Sequence, residues 1–137
     1  MKVNSIIRTL AAATFALAAL SAGAQGANAP REANKRADSE YKVAKARCGA
    51  MKGNAQDVCE KEAKATRDKS KADVRATTKG TPEARADAGE TKAKADYKVQ
   101  MERCEALKGK DQVACESKAK ASLDSRQAVA DKQRKSN

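Results

Sequence analysis

Four cysteines are the residues of this chain with the clearest capacity for covalent or metal chemistry. Cys59 follows Cys48 by 11 positions, and Cys115 follows Cys104 by the same distance. Structural zinc sites usually bring cysteines together in pairs two to four residues apart, and the chain has no histidine to complete such a site. A redox-active Cys-x-x-Cys motif is also absent. We therefore predict disulfides, with no bound metal or cofactor.

The side chains that most enzymes use for catalysis are missing or isolated. Without histidine there is no imidazole base. We find no serine nucleophile elbow and no phosphate-binding glycine loop. Glu60 and Glu116 recur at equivalent positions, but each precedes a lysine by four residues, which is typical of a solvated helix charge. We predict no catalytic residues and no enzymatic activity.

An internal duplication places the cysteines in two copies of one unit. Residues 41–66 align without a gap on residues 97–122, an offset of 56, and 14 of the 26 positions are identical. A repeat of this kind indicates one supersecondary unit that is present twice. The identical positions include the cysteines, the pair Tyr41 and Tyr97, and the pair Gly53 and Gly109.

Each unit is predicted to form a helix, a tight turn and a second helix. Ala, Lys, Glu, Gln and Arg dominate both arms, and these residues lose little on entering a helix. The predicted helices span residues 31–52, 55–79, 82–108 and 111–134, with a break at Gly80-Thr81-Pro82 between the copies. Acid-first pairs four residues apart favour these helices; they are Glu32/Arg36, Asp38/Lys42, Asp57/Lys61, Glu60/Lys64, Glu90/Lys94, Glu116/Lys120 and Asp131/Lys135.

The two turn glycines define the predicted hairpins. Gly53 and Gly109 each follow a lysine, where a left-handed cap at the end of the first helix is expected. Asn54 and Asp111 can then cap the second helix. Tyr41 and Tyr97 on the first arms are expected to staple the hairpins, as part of a stripe that continues through the cysteine to Met51 or Leu107.

Two disulfide connectivities are compatible with this spacing. The cysteines are equidistant from the turn, so an antiparallel hairpin brings Cys48 to Cys59 and Cys104 to Cys115. On uninterrupted helices, 11 residues return to nearly the same face. Two long helices joined by Cys48–Cys115 and Cys59–Cys104 are then possible, similar to the mitochondrial coiled-coil-helix family. The central glycines and Asp111 on the would-be seam favour the local hairpins.

Large apolar side chains are too few for a deep core. Only 12 Val, Leu, Met and Tyr residues follow residue 24, and their full burial contributes less than the cost of ordering the backbone. The fold class that we expect is all-α. It consists of two tandem, disulfide-stapled antiparallel helical hairpins, four helices in total, that are extended or loosely packed.

The first 24 residues are predicted to be a secretory signal peptide. Lys2 and Arg8 precede the apolar stretch LAAATFALAAL, and Ala22-Gly23-Ala24 provides a small-x-small cleavage site. Cleavage after Ala29 is disfavoured because Pro30 would follow the cut. We therefore predict a signal peptide at 1–24, a first hairpin repeat at 25–80 and a second at 81–137. The expected location is the periplasm, with no transmembrane segment after cleavage.

Charge is the main functional signal. Residues 25–137 contain 27 Lys and Arg against 18 Asp and Glu, a net charge of +9, and such a surface attracts polyanions. Export and the scarcity of aromatic residues disfavour specific nucleic-acid binding. We expect a non-enzymatic structural or interaction protein of the cell envelope that binds anionic components such as lipopolysaccharide or acidic proteins. The alternative is a stress-related holdase.

The repeated unit also carries a resemblance to known proteins. The signal peptide followed by YKVAKARC and KGNAQDVCEKEAKA resembles a group of short periplasmic, Lys/Ala-rich proteins of betaproteobacteria, which are described as TolA-like cell-envelope biogenesis proteins. TolA itself is similar in its helical periplasmic stalk, but it has a membrane anchor and a globular C-terminal domain. We expect neither here, so the resemblance does not imply force transmission across the envelope.

Overall fold

A computed structural model describes residues 28–136, and these form four α-helices and no strand. The helices are α1 (Ala29–Cys48), α2 (Asn54–Lys79), α3 (Pro82–Cys104) and α4 (Gly109–Lys135). Disulfides join α1 to α2 and α3 to α4, so the predicted all-α fold of two stapled hairpins is confirmed. The predicted signal peptide lies outside the described residues.

The four helices form a single zigzag layer. Each helix contacts only its neighbour along the chain, and residues 28–136 show no contact between α1 and α3, α1 and α4, or α2 and α4. The two hairpins therefore lie side by side through α2 and α3 rather than closing into a four-helix bundle. Consequently α1 and α4 are edge helices, whereas α2 and α3 have a neighbour on both sides.

Alanine occupies most of the buried positions in the described residues. The cluster between α2 and α3 consists of Ala65, Ala95 and Val99, and most other buried positions in the four helices are also alanine. Alanine loses no side-chain rotamer entropy on burial, so it suits a thin interface between helices. Five large apolar residues are exposed instead, which fits the expectation of a fold without a deep core; they are Val43, Met51, Leu107, Val113 and Val129.

The first helix of each hairpin ends earlier than predicted. The predicted ends at residues 52 and 108 are wrong, because α1 ends at Cys48 and α3 at Cys104. A cysteine can reach its partner across the hairpin only if the chain turns soon after it. The stripe expected to continue to Met51 and Leu107 is therefore broken, and both side chains lie exposed in the turns.

The turn glycines adopt positive φ, but they begin the second helices rather than capping the first. Both Gly53 and Gly109 have φ of 59°, a conformation that favours glycine. The predicted caps are wrong, since neither α2 nor α4 has a side-chain hydrogen bond at its N-cap. The Asn54 amide instead donates to the carbonyl oxygen of Glu102 on α3, at 2.7 Å. The side chain of Asn54 therefore binds the end of α3 instead of capping its own helix, α2.

Most of the predicted i, i+4 ion pairs do not form. Among the seven, only Glu90 and Lys94 form the expected ion pair in the described residues. Asp38 of α1 binds Lys71 of α2 at 2.6 Å, because the antiparallel helix offers a closer base. Many acids thus connect helices instead of stabilising single ones.

The break between the hairpins lies where the sequence predicts it. Gly80 ends α2 in a left-handed conformation, and the Thr81 hydroxyl accepts a hydrogen bond from the amide of Ala84 at 3.1 Å. Pro82 then takes the first position of α3, where its missing N–H costs nothing. None of the described helices is long and apolar enough to cross a membrane.

Candidate functional site

The two disulfides have nearly identical geometry. The Cα atoms are 5.5 Å apart in Cys48–Cys59 and 5.6 Å apart in Cys104–Cys115. Cys48 and Cys104 are fully buried. The local connectivity favoured by the glycines is therefore the one observed, and the alternative between long helices is not formed.

Both disulfide-linked turns lie at the same end of the helical layer. The hydrogen bond from Asn54 to Glu102 joins the beginning of α2 to the end of α3. Lys61 binds the Glu102 carboxylate at 2.9 Å, and this partner raises the pKa of the lysine. Arg103 binds Glu62 on the same two helices. These contacts hold the two turns next to each other, and we call this region the disulfide end.

Each turn at the disulfide end exposes one large apolar side chain. Met51 is 45 % exposed and Leu107 is 40 % exposed, and the offset of 56 makes their positions equivalent. The next residue in each turn is a lysine, Lys52 or Lys108, which forms no ion pair with residues 28–136. The two tips therefore repeat the same combination of an apolar and a basic side chain.

The two expected staple tyrosines are both half-buried. Tyr41 of α1 reaches α2, where the Arg67 guanidinium lies 4.4 Å from the centre of its ring. Stacking of this kind is a cation–π contact. Tyr97 occupies the equivalent place on α3, but the position equivalent to Arg67 is Leu123, which is also half-buried. Tyr41 therefore links α1 to α2 through a cation–π contact with Arg67, whereas Tyr97 has an apolar residue, Leu123, at the equivalent position.

Ion pairs join α3 to α4 along the second hairpin. Arg134 of α4 binds Asp87 at 2.8 Å and also binds Glu90. Hydrogen bonds from Lys94 and Arg134 lower the pKa of Glu90 from 4.5 to about 2. Nearer the middle, Asp96 binds both Arg126 and Lys69. Partial burial opposes ionisation of Asp96, but these two bases still lower its pKa.

A groove between α2 and α3 collects four lysines that sequence reasoning did not bring together. It measures about 200 Å³ and has Ala65 and Ala95 in its lining. Two of the lysines already bind acids, Lys61 to Glu102 and Lys94 to Glu90. The lysines of this groove are Lys61, Lys64, Lys94 and Lys98. They belong to different repeats, so only the packing of one hairpin against the other reveals the cluster.

The basic residues greatly outnumber the acids that neutralise them. Within residues 28–136, ion pairs involve 11 acids and 11 bases, which leaves seven acids and 16 bases without an ion pair. The edge helix α1 carries the densest group. Its bases without an ion pair are Arg31, Arg36, Lys42, Lys45 and Arg47, all exposed, against the single acid Glu40.

Neither metal ligands nor known relatives add to this description. Within the described part of the chain, no three Cys, Asp or Glu side chains are grouped as a metal site would require. All four cysteines are oxidised. No protein-family model, curated protein or solved structure matches the chain.

Proposed function

We propose that this chain is an exported, non-enzymatic interaction protein of the cell envelope that binds anionic envelope components through its basic surface. Two disulfides fit a location outside the reducing cytoplasm, where such bonds persist. The predicted signal peptide and the resemblance to periplasmic Lys/Ala-rich proteins favour the periplasm. Lipopolysaccharide phosphates and acidic proteins are the partners whose charge complements this surface.

The uneven use of charges is the observation that carries the proposal. Seven of the 18 acids in the described residues form ion pairs between helices, as Asp38, Asp96 and Glu102 do, so they contribute to the fold. Bases in excess of these pairs stay on the surface, most densely along the exposed side of α1. A surface of unpaired cations attracts anions over a range set by the ionic strength.

Binding to lipopolysaccharide at low and high salt tests the proposal. We expect the protein with both disulfides formed to co-sediment with lipopolysaccharide in about 20 mM salt and to dissociate in about 500 mM salt, where the Debye length is only a few ångströms. Absence of binding at the lower salt concentration contradicts the proposal.

Two matched double variants separate the unpaired bases from total charge. Lys42→Gln with Arg47→Gln removes two bases of α1 that form no ion pair. Lys35→Gln with Lys120→Gln also lowers the net charge by two, but these lysines already bind Glu32 and Asp124. We expect the first variant to lose more affinity, by up to about thirtyfold, because each of the two unpaired cations near an anionic surface contributes about 1 kcal/mol. Equal losses would show that only net charge matters.

A further inference from the structure

We infer that the disulfide end is a docking site for an anionic lipid surface, into which Met51 and Leu107 insert while the neighbouring lysines bind headgroup phosphates. This inference rests on the proposed function and names the partner more closely, as a membrane surface rather than a soluble polyanion. The contact is peripheral, since no described helix could cross a bilayer.

The positions of the exposed apolar side chains give the first argument. Of the five large apolar residues exposed in the described chain, Val43, Val113 and Val129 lie within helices. Only Met51 and Leu107 lie in turns, where a side chain can extend beyond the ends of the helices. Contacts between α2 and α3 place both turns at one end. Two apolar tips on one end can enter a surface together.

The charges around the tips give the second argument. Lys52 and Lys108 directly follow the apolar residues, and a lysine stem can lie along acyl chains while its ammonium group reaches the phosphates. In the turns and the residues that directly follow them, 49–56 and 105–112, the bases without an ion pair are Lys52, Lys108 and Lys110, and the acids without one are Glu105 and Asp111. Farther from the tips, Glu60 and Glu116 accept hydrogen bonds from Gln56 and Gln112. Other acids near the tips, Glu62 and Glu102, are neutralised by Arg103 and Lys61. The disulfide end therefore suits an anionic rather than a neutral lipid.

The rigidity of the tips gives the third argument. Each turn is closed by a disulfide, and its backbone is ordered by local hydrogen bonds, including that from the amide of Met51 to the carbonyl of Cys48 at 2.9 Å. The equivalent bond joins Leu107 to Cys104, also at 2.9 Å. A binding element that is already ordered loses little entropy on binding.

The opposite end of the layer provides a contrast. The turn at Gly80-Thr81-Pro82 joins α2 to α3 without any large apolar side chain, and Pro82 is half-buried at the beginning of α3. This turn contains no disulfide. An apolar tip is therefore not required to make a tight turn in this protein, and its presence in both disulfide turns needs another explanation.

A single introduced tryptophan tests insertion directly, because the chain contains none. Met51→Trp and Leu107→Trp are each compared with Val129→Trp, which is exposed on α4 away from the disulfide end. On addition of vesicles with about 30 % phosphatidylglycerol, we expect a blue shift of about 10 nm and quenching by brominated acyl chains at the two tips only, since these positions leave water for the acyl boundary. Co-sedimentation with unchanged emission at both tips would overturn the inference.

Truncation of the tips measures their contribution to binding. Met51→Ser with Leu107→Ser is expected to weaken partitioning onto these vesicles by about tenfold, since two apolar side chains no longer leave water. The control Val43→Ser with Val129→Ser removes two apolar side chains of similar exposure from helices, and we expect a change of less than about twofold. Circular dichroism and a thiol assay establish that all variants are helical and oxidised.

Binding to heparin, a soluble polyanion, shows whether a negative result contradicts only the lipid-docking inference or the proposed function as well. If Met51→Ser with Leu107→Ser binds vesicles as the unmodified protein does, the lipid-docking inference is wrong while binding to anions stands. If the unmodified protein binds neither phosphatidylglycerol vesicles nor heparin at low salt, both proposals are wrong. We expect the tip variant to retain heparin binding within about twofold, because its cations are unchanged.

Discussion

The two hairpins share the same turn but differ in what holds their arms together. The disulfide Cα separations agree to 0.1 Å, at 5.5 and 5.6 Å, and both turn glycines have φ of 59°. Along the arms of the first hairpin we find the ion pair Asp38–Lys71 and the contact of Arg67 with Tyr41. The second hairpin instead has an arginine of α4, Arg134, that binds two acids of α3, and a further pair between Arg126 and Asp96.

The difference is greatest at the end away from the disulfides. By the offset of 56, Glu90 and Arg134 of the second hairpin correspond to Asn34 and Thr78 of the first. The Asn34 side-chain oxygen is buried without a hydrogen-bond partner, whereas Glu90 has two. An unsatisfied buried oxygen costs free energy. The duplication has therefore kept the turn and changed the arms, which leaves the first hairpin less well held far from its disulfide.

Removing each disulfide in turn is the strongest test of this comparison. Cys48→Ala with Cys59→Ala, and Cys104→Ala with Cys115→Ala, should each lower the free energy of unfolding by roughly 3 kcal/mol, because the two loops have equal length. Urea unfolding measures this loss. Limited trypsin digestion should then distinguish the two double variants. We expect α1 in the variant without Cys48–Cys59 to be cleaved faster than α4 in the variant without Cys104–Cys115.

The ion pairs of the second hairpin explain that expected asymmetry. Without its disulfide, α4 is still joined to α3 by Arg126 and Arg134. In contrast, a single ion pair, Asp38–Lys71, joins α1 to α2 in the described residues, beside the contact of Arg67 with Tyr41. Equal cleavage of α1 and α4 in their respective variants would contradict a difference between the arms.

Two valines at equivalent repeat positions provide a smaller and better matched test. Val99 on α3 is 7 % exposed in the cluster with Ala65 and Ala95, whereas its counterpart Val43 on α1 is 53 % exposed. We expect Val99→Ala to lower the free energy of unfolding by about 2 kcal/mol, and Val43→Ala by less than about 0.5 kcal/mol. Urea unfolding of both variants checks this. Similar losses would mean that α1 is covered by a partner.

The turn and the break were predictable because their signals are local. Glycine at a position with positive φ, and Gly-Thr-Pro between two helical segments, restrict the backbone whatever surrounds them. The duplication strengthened this prediction, since the same spacing of Cys48 and Cys59 recurs in Cys104 and Cys115. The disulfide pairs and the four helices followed from these local features.

The contacts between hairpins could not be predicted because they depend on the register of α2 against α3. Alanine at many positions fits several registers equally well, so neither the buried state of Val99 nor the meeting of Lys61 with Glu102 could be read from periodicity. The cap at Asn54 was wrong for the same reason, since its side-chain amide donates to the carbonyl of Glu102 on α3 instead. The cap at Asp111 was also wrong, since α4 already begins at Gly109.

Acid should weaken the second hairpin through Glu90. Its pKa is lowered from 4.5 to about 2, so its ion pairs stabilise the fold fully above about pH 4.5, and this contribution is lost as the pH falls toward 2. We expect Glu90→Gln to unfold at a lower urea concentration at pH 7 and to lose less stability than the unmodified protein between pH 7 and pH 3. Glu105→Gln, in an exposed turn without an ion pair, is the control. The same pH dependence in all three proteins would exclude this role.

Transferring the ion pairs of Arg134 with Asp87 and Glu90 to the first hairpin should have the smallest effect on the free energy of unfolding. Asp87, Glu90 and Arg134 correspond to Arg31, Asn34 and Thr78, so the triple variant Arg31→Asp, Asn34→Glu, Thr78→Arg reproduces the site at the far end of α1 and α2. Arg31 must change as well, because it would otherwise repel the new guanidinium.

The expected gain of the triple variant is only about 0.5 kcal/mol in the free energy of unfolding, since exposed ion pairs contribute little. It should be visible in urea unfolding at low salt and should disappear in about 1 M salt, where the Debye length is about 3 Å. The double variant with Arg31 retained is the control, and it should gain less. If the triple variant gains nothing at low salt, the arms of the two hairpins cannot be geometrically equivalent, and the weakness of the first hairpin does not come from its missing ion pairs.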